Sequence, residues 1–286
     1  MRGAVEIISP GLYTSIQDQG RFGFSKYGIP RSGAMDQDSF FLANSILGNN
    51  HDCAVIEWTM IPPVLKFHED TVITITGAVC IPFLNDNTCN MYSQLRVQKG
   101  DVLRLKNVKK GVYGFVGIKF GFQSDLILNS RSQYKMITHF DKLQKSDLIP
   151  YDSCVDFSTS NGVVNPSFLW MTSNQIYAFP GPEFDLMSSN QKKFLFSKEY
   201  TVSTTRNRMA IPLDELLENE LGSMLTSPVL PGTVQLTPSG QLIILTRDCQ
   251  TTGGYPRVLQ LTENAINAIS QIRTGEKIKF ILKEFS

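Results

Sequence analysis

The chain has 286 residues, with 27 basic and 26 acidic side chains for a formal net charge of +1; 42% of it is hydrophobic and 19% charged. A chain of this length buries about three-quarters of its unfolded surface, so its core needs no disulfide or metal staple, and the composition excludes intrinsic disorder. Basic side chains cluster no further than the doublets Lys109-Lys110 and Lys192-Lys193, which argues against a nucleic-acid or membrane surface.

From the start of the chain, residues 1–15 contain Glu6, Pro10 and Gly11 where a secretory signal would be unbroken and apolar. The longest apolar runs, such as Leu242-Ile243-Ile244-Leu245, fall far short of the ~18 residues of a membrane span. The expected location is therefore the cytoplasm. Val5 to Ile8 reads as a first strand ending at Ser9-Pro10-Gly11. Asp36 can accept from the first free N–H groups of a helix, along which Phe40, Ala43 and Leu47 recur at helical spacing until Gly48. Thr71 to Thr76 alternates apolar and hydroxyl side chains, predicting a strand with one dry face that stops at Gly77. Cys80 to Leu84, Val102 to Leu105 and Val112 to Ile118 continue the series.

Between Leu126 and Phe168 the pattern weakens, with Pro150 and Pro166 among Ser, Asn and Lys. The expected organisation is a first β domain over 1–125, a connector over 126–168 and a second β domain over 169–286. In the second half, Ser188 and Gln191 have capping-box spacing. Val234 to Thr237 and Gln241 to Thr246 flank Pro238-Ser239-Gly240 as a hairpin. Thr262 to Ile272 reads as a short helix and Lys277 to Leu282 as the closing strand. Few helices among some fifteen strands predict a mainly β fold of barrels or sandwiches.

Familiar chemistry is missing from the sequence. There is no phosphate-cradling loop for ATP, no dinucleotide fingerprint and no serine-nucleophile elbow. The three histidines, His51, His68 and His139, have no metal-binding spacing, and Cys53, Cys80, Cys89, Cys154 and Cys249 are scattered. No metal site is expected, and the cysteines read as reduced thiols. No Ala-Met-Lys-Met segment is present, so this chain carries no covalently attached biotin.

The informative segments are three loops rich in Gly and in charged or amide side chains: residues 14–21, 28–36 and 250–257. Adjacent glycines let a backbone approach a ligand and turn its N–H groups toward it. Arg21 and Arg257 can each grip a carboxylate or phosphate through paired hydrogen bonds. Gln17 and Gln250 both donate and accept, as an amide or lactam ligand requires. Asp18 and Asp36 can orient an arginine or take a proton, though Asp36 also suits a helix cap.

Residues 14–21 followed by Gly28-Ile29-Pro30-Arg31-Ser32-Gly33-Ala34-Met35-Asp36 resemble the opening signature of the KipA / 5-oxoprolinase C-subunit family, also described as biotin-dependent carboxyltransferase or allophanate hydrolase subunit 2. The resemblance continues through Ala54 to Thr59, Thr76-Gly77-Ala78, Ser130-Arg131-Ser132, Pro180-Gly181-Pro182, Pro238-Ser239-Gly240 and Gln250 to Pro256, and so covers nearly the whole chain. It departs from the family pattern at Gly117–Gly121, at Ala210–Leu213, and at Cys249, where an arginine is common.

The resemblance implies two cyclophilin-like β-barrel domains with a few short helices. It implies a heterocomplex with two further 5-oxoprolinase proteins, a KipI-like B-type subunit and an A-type one. That complex uses ATP, at a site shared with a partner, to open the lactam of 5-oxoproline to glutamate. The alternatives it carries are a carboxyltransferase subunit moving a carboxyl group from carboxybiotin to urea or a related amide, and a non-enzymatic regulator that binds a kinase-inhibitor protein. On the first reading, Asp36 and Gln250 are the expected catalytic residues. Arg21, Asp18, Thr76, Gly77, Ala78, Thr251, Gly253, Gly254, Tyr255 and Arg257 are expected to bind the substrate, with charge on the lactam carbonyl met by N–H groups at Gly253 and Gly254.

Overall fold

The computed structural model describes residues 2–155, 159–160 and 162–283. The chain divides into two compact units. The first comprises Met1–Arg21 and Ser32–Ser167, the second Phe22–Arg31 and Phe168–Ser286.

In the first unit, β1 (Arg2–Ser9), β2 (Tyr13–Gln17), helix α1 (Gln37–Leu47), β3 (Val55–Thr59) and β4 (Val64–Phe67) lead to β5 (Thr71–Leu84). Two short strands follow, β6 (Asn87–Thr88) and β7 (Leu95–Val97), then β8 (Val102–Ile118) and β9 (Leu148–Asp152). They form a nine-stranded sheet whose main path runs β2-β3-β8-β4-β1-β9, with β5 paired to β6, β7 and β8. Because β5 and β8 are long enough to serve several neighbours, the sheet curls around one core, in which Val5, Ile56, Trp58, Phe67, Ile75 and Tyr151 are each fully buried. The stretch expected to be a connector supplies β9, which pairs with β1 from Arg2↔Asp152 to Glu6↔Leu148. Tyr151 and Ile149 give that edge strand its apolar face.

Helix α1 follows its sequence signals. Asp36 accepts from the Ser39 amide at 3.2 Å, and Gly48 closes the helix at φ 58°. Such a cap contributes about 1 kcal/mol. The helix packs on the face of β5 and β8 that carries Thr74 and Gly117: a Cβ on Gly117 would meet Leu47, Ala43 and Thr74. This corrects the expectation of one dry face. Thr74 and Thr76 are fully buried, because helix α1 covers the side that alternation assigned to solvent; Thr71 is buried on the opposite face, with Ile73 and Ile75.

A second correction concerns Gly77. The strand does not stop there but runs on to Leu84, with a register shift between Gly77 and Val79 and φ +81° at Gly77. The glycine marks a bulge, which needs that backbone angle. Across the ladder it pairs with Gly114. A Cβ on Gly114 would lie 2.0 Å from Cζ2 of the fully buried Trp58. Gly114→Ala is therefore expected to cost about 1–3 kcal/mol by overpacking, read as a lowered Tm; an unchanged melting curve would refute this account of the Trp58 site.

The second unit contains α2 (Leu169–Thr172), β10 (Gln175–Pro180), α3 (Ser189–Ser197), β11 (Tyr200–Thr201), β12 (Ala210–Leu216) and β13 (Ser227–Pro228). It continues with β14 (Thr233–Leu236), β15 (Gln241–Leu245), β16 (Thr252–Gly253), β17 (Arg257–Leu261), α4 (Glu263–Gln271) and β18 (Lys277–Leu282). Seven strands pair in the order β11-β18-β10-β17-β14-β15-β12, and β13 pairs with β16 separately. The capping box at Ser188 and Gln191 opens α3, and Thr262 caps α4 by accepting from the Ala265 amide at 3.3 Å. The hairpin of β14 and β15 turns at Gly240, at φ +89°. Strand β18 lies inside its sheet, between β11 and β10. The fold class is thus the expected one: mainly β, in two curled-sheet units with few helices. Among the described residues no helix is long and apolar enough to cross a membrane.

Candidate functional site

The residues expected in one site divide between the two units. In the first, strand β2 delivers the loop from Asp18 to Arg21, and Asp18 fastens it. The Asp18 carboxylate accepts from the Gly20 amide at 2.8 Å, the Ser130 and Ser132 hydroxyls at 2.7 and 2.6 Å, and the Arg131 amide at 2.5 Å. A carboxylate has about four acceptor positions, so these bonds use its capacity. Asp18 is corrected from a substrate ligand to the anchor of this loop, and the Ser130-Arg131-Ser132 segment is its counterpart. Arg21, 2% exposed, donates to the Ser132 carbonyl.

The loop from Ser32 to Asp36 lies against this anchor. The Ala34 amide donates to the Asp18 carbonyl at 2.9 Å. Gly33, at φ +93°, passes so close to Gln19 that a Cβ would sit 2.9 Å from its carbonyl carbon. Ser32 adopts φ 56° while fully buried. A non-glycine residue in that region is strained, and such strain gathers at binding and catalytic loops. The Ser32 hydroxyl and the Gln17 Oε1 are buried without a hydrogen-bond partner among the described residues. Buried polar atoms are as a rule hydrogen-bonded, so these two are placed to meet an ordered water or a ligand.

Asp36 stands at the centre of a small network. Its Oδ2 accepts from the Ser39 hydroxyl at 2.6 Å; Thr76 donates to the Ser39 carbonyl at 2.8 Å; Tyr92 donates to the Gly77 carbonyl at 2.8 Å. Burial first, and then the negative charge of Asp36, push the Tyr92 phenol well above its ordinary pKa of 10.0. Thr76 and the Gly77 carbonyl therefore do join the Asp36 neighbourhood. Ala78 does not: its side chain is fully buried in the hydrophobic core beside Ile75 and Trp58, which removes it as a substrate contact.

Sequence reasoning missed Glu57. It is 1% exposed on strand β3, and its Oε2 accepts from the Met35 amide at 2.7 Å, next to Asp36. Its signal was present: a carboxylate inside the apolar run Val55-Ile56-Glu57-Trp58 must be buried by its strand.

In the second unit, residues 250–257 form a loop, the short strand β16 and the start of β17. The Val229 amide donates to Thr251 and the Met224 amide to Gly254. Both bonds accept on carbonyls, so the segment is built into its surroundings by backbone. Gly253 lies close against Gln235: a Cβ there would sit 2.4 Å from its Nε2. Gln250 is half-buried and makes no side-chain hydrogen bond among the described residues, and Tyr255 is exposed. Both are open to a ligand.

Arg257 is not. It grips Glu183 through Nε at 2.9 Å and Nη2 at 2.7 Å, and it donates through Nη1 to the Pro228 carbonyl at 2.8 Å. The pair is largely buried, with side-chain exposures of 18% and 13%. The expected carboxylate-binding arginine is thus corrected to a structural ion pair, because a glutamate 74 residues away in sequence already occupies its fork. Arg208 and Asp248 form a second such pair at 2.8 Å. Among the described residues no group of three or more His, Cys, Asp or Glu side chains is arranged to hold a metal ion.

Two curled β units with few helices, the first holding buried carboxylates around the strained loop at Ser32, define a class of β-rich scaffold. The chain belongs to the carboxyltransferase domain family, subdomains A and B, whose model matches residues 27–282. It is 31% identical over 284 residues to the 5-oxoprolinase C subunit of Escherichia coli, covering 97% of this chain and 90% of that one. The corresponding protein of Haemophilus influenzae is 30% identical over 287 residues, covering 96% and 90%. The crystal structure of the Kluyveromyces lactis urea carboxylase superposes with a TM-score of 0.86 at 25% identity over 98% of this chain, which spans only 27% of that larger one.

Proposed function

We propose that this chain is the C-type subunit of an ATP-dependent 5-oxoprolinase, opening 5-oxoproline to glutamate together with an A-type and a KipI-like B-type partner. The observation that carries the reading is the likeness to a 5-oxoprolinase C subunit along 97% of this chain and 90% of the relative. Lactam opening requires a proton for the departing nitrogen and donors for charge on the carbonyl oxygen. Asp36 is the group proposed for proton transfer, with Glu57 holding the Met35-Asp36 backbone in place. The Ser32 hydroxyl and the Gln17 amide oxygen offer polar contacts to a small ligand, and Arg21 supplies the positive charge for its carboxylate. In the second unit, Gln250 suits recognition of an amide. ATP is a co-substrate whose phosphates are assigned to a site shared with a partner, since this chain has no phosphate-cradling loop.

The likeness to urea carboxylase supports a second reading, carboxyl transfer from carboxybiotin carried on another polypeptide to urea or a related amide. One experiment separates the two. Co-expressed with its A-type and B-type partners, the chain is expected to yield glutamate from 5-oxoproline only when ATP and all three proteins are present. Turnover that instead needs a biotinylated carrier and bicarbonate would select the second reading; formation of glutamate without this chain would remove it from the reaction.

A further inference from the structure

A cleft opens in the first unit at the start of strand β2, the far end of that strand from the Asp18–Arg21 loop. Residues 10–14 form one wall and residues 142–145 the other, bounding a space of about 400 Å³. Ligand sites occupy roughly 300–1,000 Å³, so this is room for a small organic molecule. The second wall is pinned at both ends. On one side the Leu143 amide donates to the Thr14 carbonyl at 2.7 Å, and the Tyr13 hydroxyl to the Asp141 carbonyl at 2.7 Å. On the other, the Ser146 amide donates to the Ile7 carbonyl at 2.8 Å, and the Ile7 amide to the Asp147 carbonyl at 3.0 Å. The first wall is backed by the Ile61 and Pro62 backbone, which presses on Gly11 so closely that a Cβ has no room there. Walls fixed in this way give the cleft its shape before any ligand arrives, which lowers the ordering cost of binding. None of the lining residues has a part in the reaction proposed above.

The chemistry of the lining is one-sided. The polar side chains of the first wall are spent: Tyr13 on Asp141, and the Thr14 hydroxyl on the Pro10 carbonyl at 2.6 Å. The second wall brings Lys142 and Lys145, both exposed. Neither makes an ion pair among the described residues. No acidic residue lines the cleft; Asp141 and Asp147 flank this wall in sequence, and the Asp147 carboxylate already accepts from the Gln144 amide at 2.7 Å. Apolar surface is supplied by Leu12, which is 57% exposed. An exposed leucine facing the same space as two unpaired ammonium groups suits a molecule apolar at one end and anionic at the other. Ammonium groups hold phosphate and carboxylate as point charges. We propose that this cleft binds a small organic anion, with its phosphate or carboxylate group between Lys142 and Lys145 and its apolar body against Leu12.

Isothermal titration of the full chain with phenyl phosphate, and separately with benzoate, tests the assignment. At least one of them is expected to bind saturably at one site per chain; the tighter of the two marks the ligand as a phosphoryl or a carboxylate compound. The double variant Lys142→Gln, Lys145→Gln should weaken that binding about tenfold or more, since charge-assisted bonds are the strong ones in such a site. Both side chains are exposed, and thermal melts confirm that the variant is folded. Leu12→Ala should weaken binding severalfold. Inorganic phosphate and acetate, which lack the ring, should bind more weakly than their ring-bearing counterparts. Absence of binding by both probes, an affinity unmoved by the double lysine variant, or equal affinity for the ring-free anions overturns the proposal.

Discussion

Asp36→Asn is expected to abolish most turnover of the assembled enzyme while leaving the chain folded. Asparagine caps helices as well as aspartate does, so the bond from the Ser39 amide survives and α1 keeps its first turn. What disappears is the charge beside Tyr92 and the capacity to accept a proton. Positioned acid–base groups contribute about 10²–10⁴-fold to rate, so kcat for glutamate formation should fall by that factor with little change in Tm. Asp36→Ala removes cap and charge together and should add a stability loss of about 1 kcal/mol. A folded Asp36→Asn variant with undiminished kcat would reduce Asp36 to a helix cap and leave the proton to another group.

Arg257→Ala has a different signature. A ligand-binding arginine would raise KM and spare stability. The pairing with Glu183 leads to the reverse expectation: removing the guanidinium leaves a carboxylate, only 13% exposed, with the residue 257 backbone amide as its remaining donor from this pair. Breaking a buried pair in this way costs about 3–5 kcal/mol, read from urea unfolding as a lower midpoint at unchanged slope. The pH dependence adds a second reading. Side-chain hydrogen bonding from Arg257 is the leading cause that holds the Glu183 pKa below its ordinary 4.5. A carboxyl with a depressed folded-state pKa stabilises the protein above its unfolded value, and that contribution is lost as pH falls through the folded value. The wild type should therefore lose this increment below pH 4.5, and Arg257→Ala, which keeps only the backbone hydrogen bonds to Glu183, should show a smaller step. Unaltered urea midpoints at neutral pH would return Arg257 to the ligand-binding set.

These two residues also show what a sequence discloses and what it withholds. Local signals were sufficient for the helices: Asp36 with Gly48, Ser188 with Gln191, and Thr262 each act within a few residues of the helix they end or begin. The hairpin at Gly240 and the closing strand were legible for the same reason. The extent of β5 was not, since a glycine that ends a strand and one that bulges it look alike until Gly114 is known to lie opposite. Partnership across the chain was least legible. The sequence displays the guanidinium of Arg257 but not Glu183, and the carboxylate of Asp18 but not the two serine hydroxyls more than a hundred residues later that consume it. Charged side chains in glycine-rich loops thus look equally reactive until their partners are located, and here two of the expected ligands were already spoken for.

The second unit draws its ten-residue opening piece, Phe22–Arg31, from near the start of the chain and the remainder from beyond Ser167. No single cleavage of the polypeptide can therefore release both units whole. During synthesis the early piece must wait for its unit until the chain through Ser167 has been made. Duplication, shuffling or truncation that treats the two halves as independent cassettes would leave one of them without Phe22–Arg31.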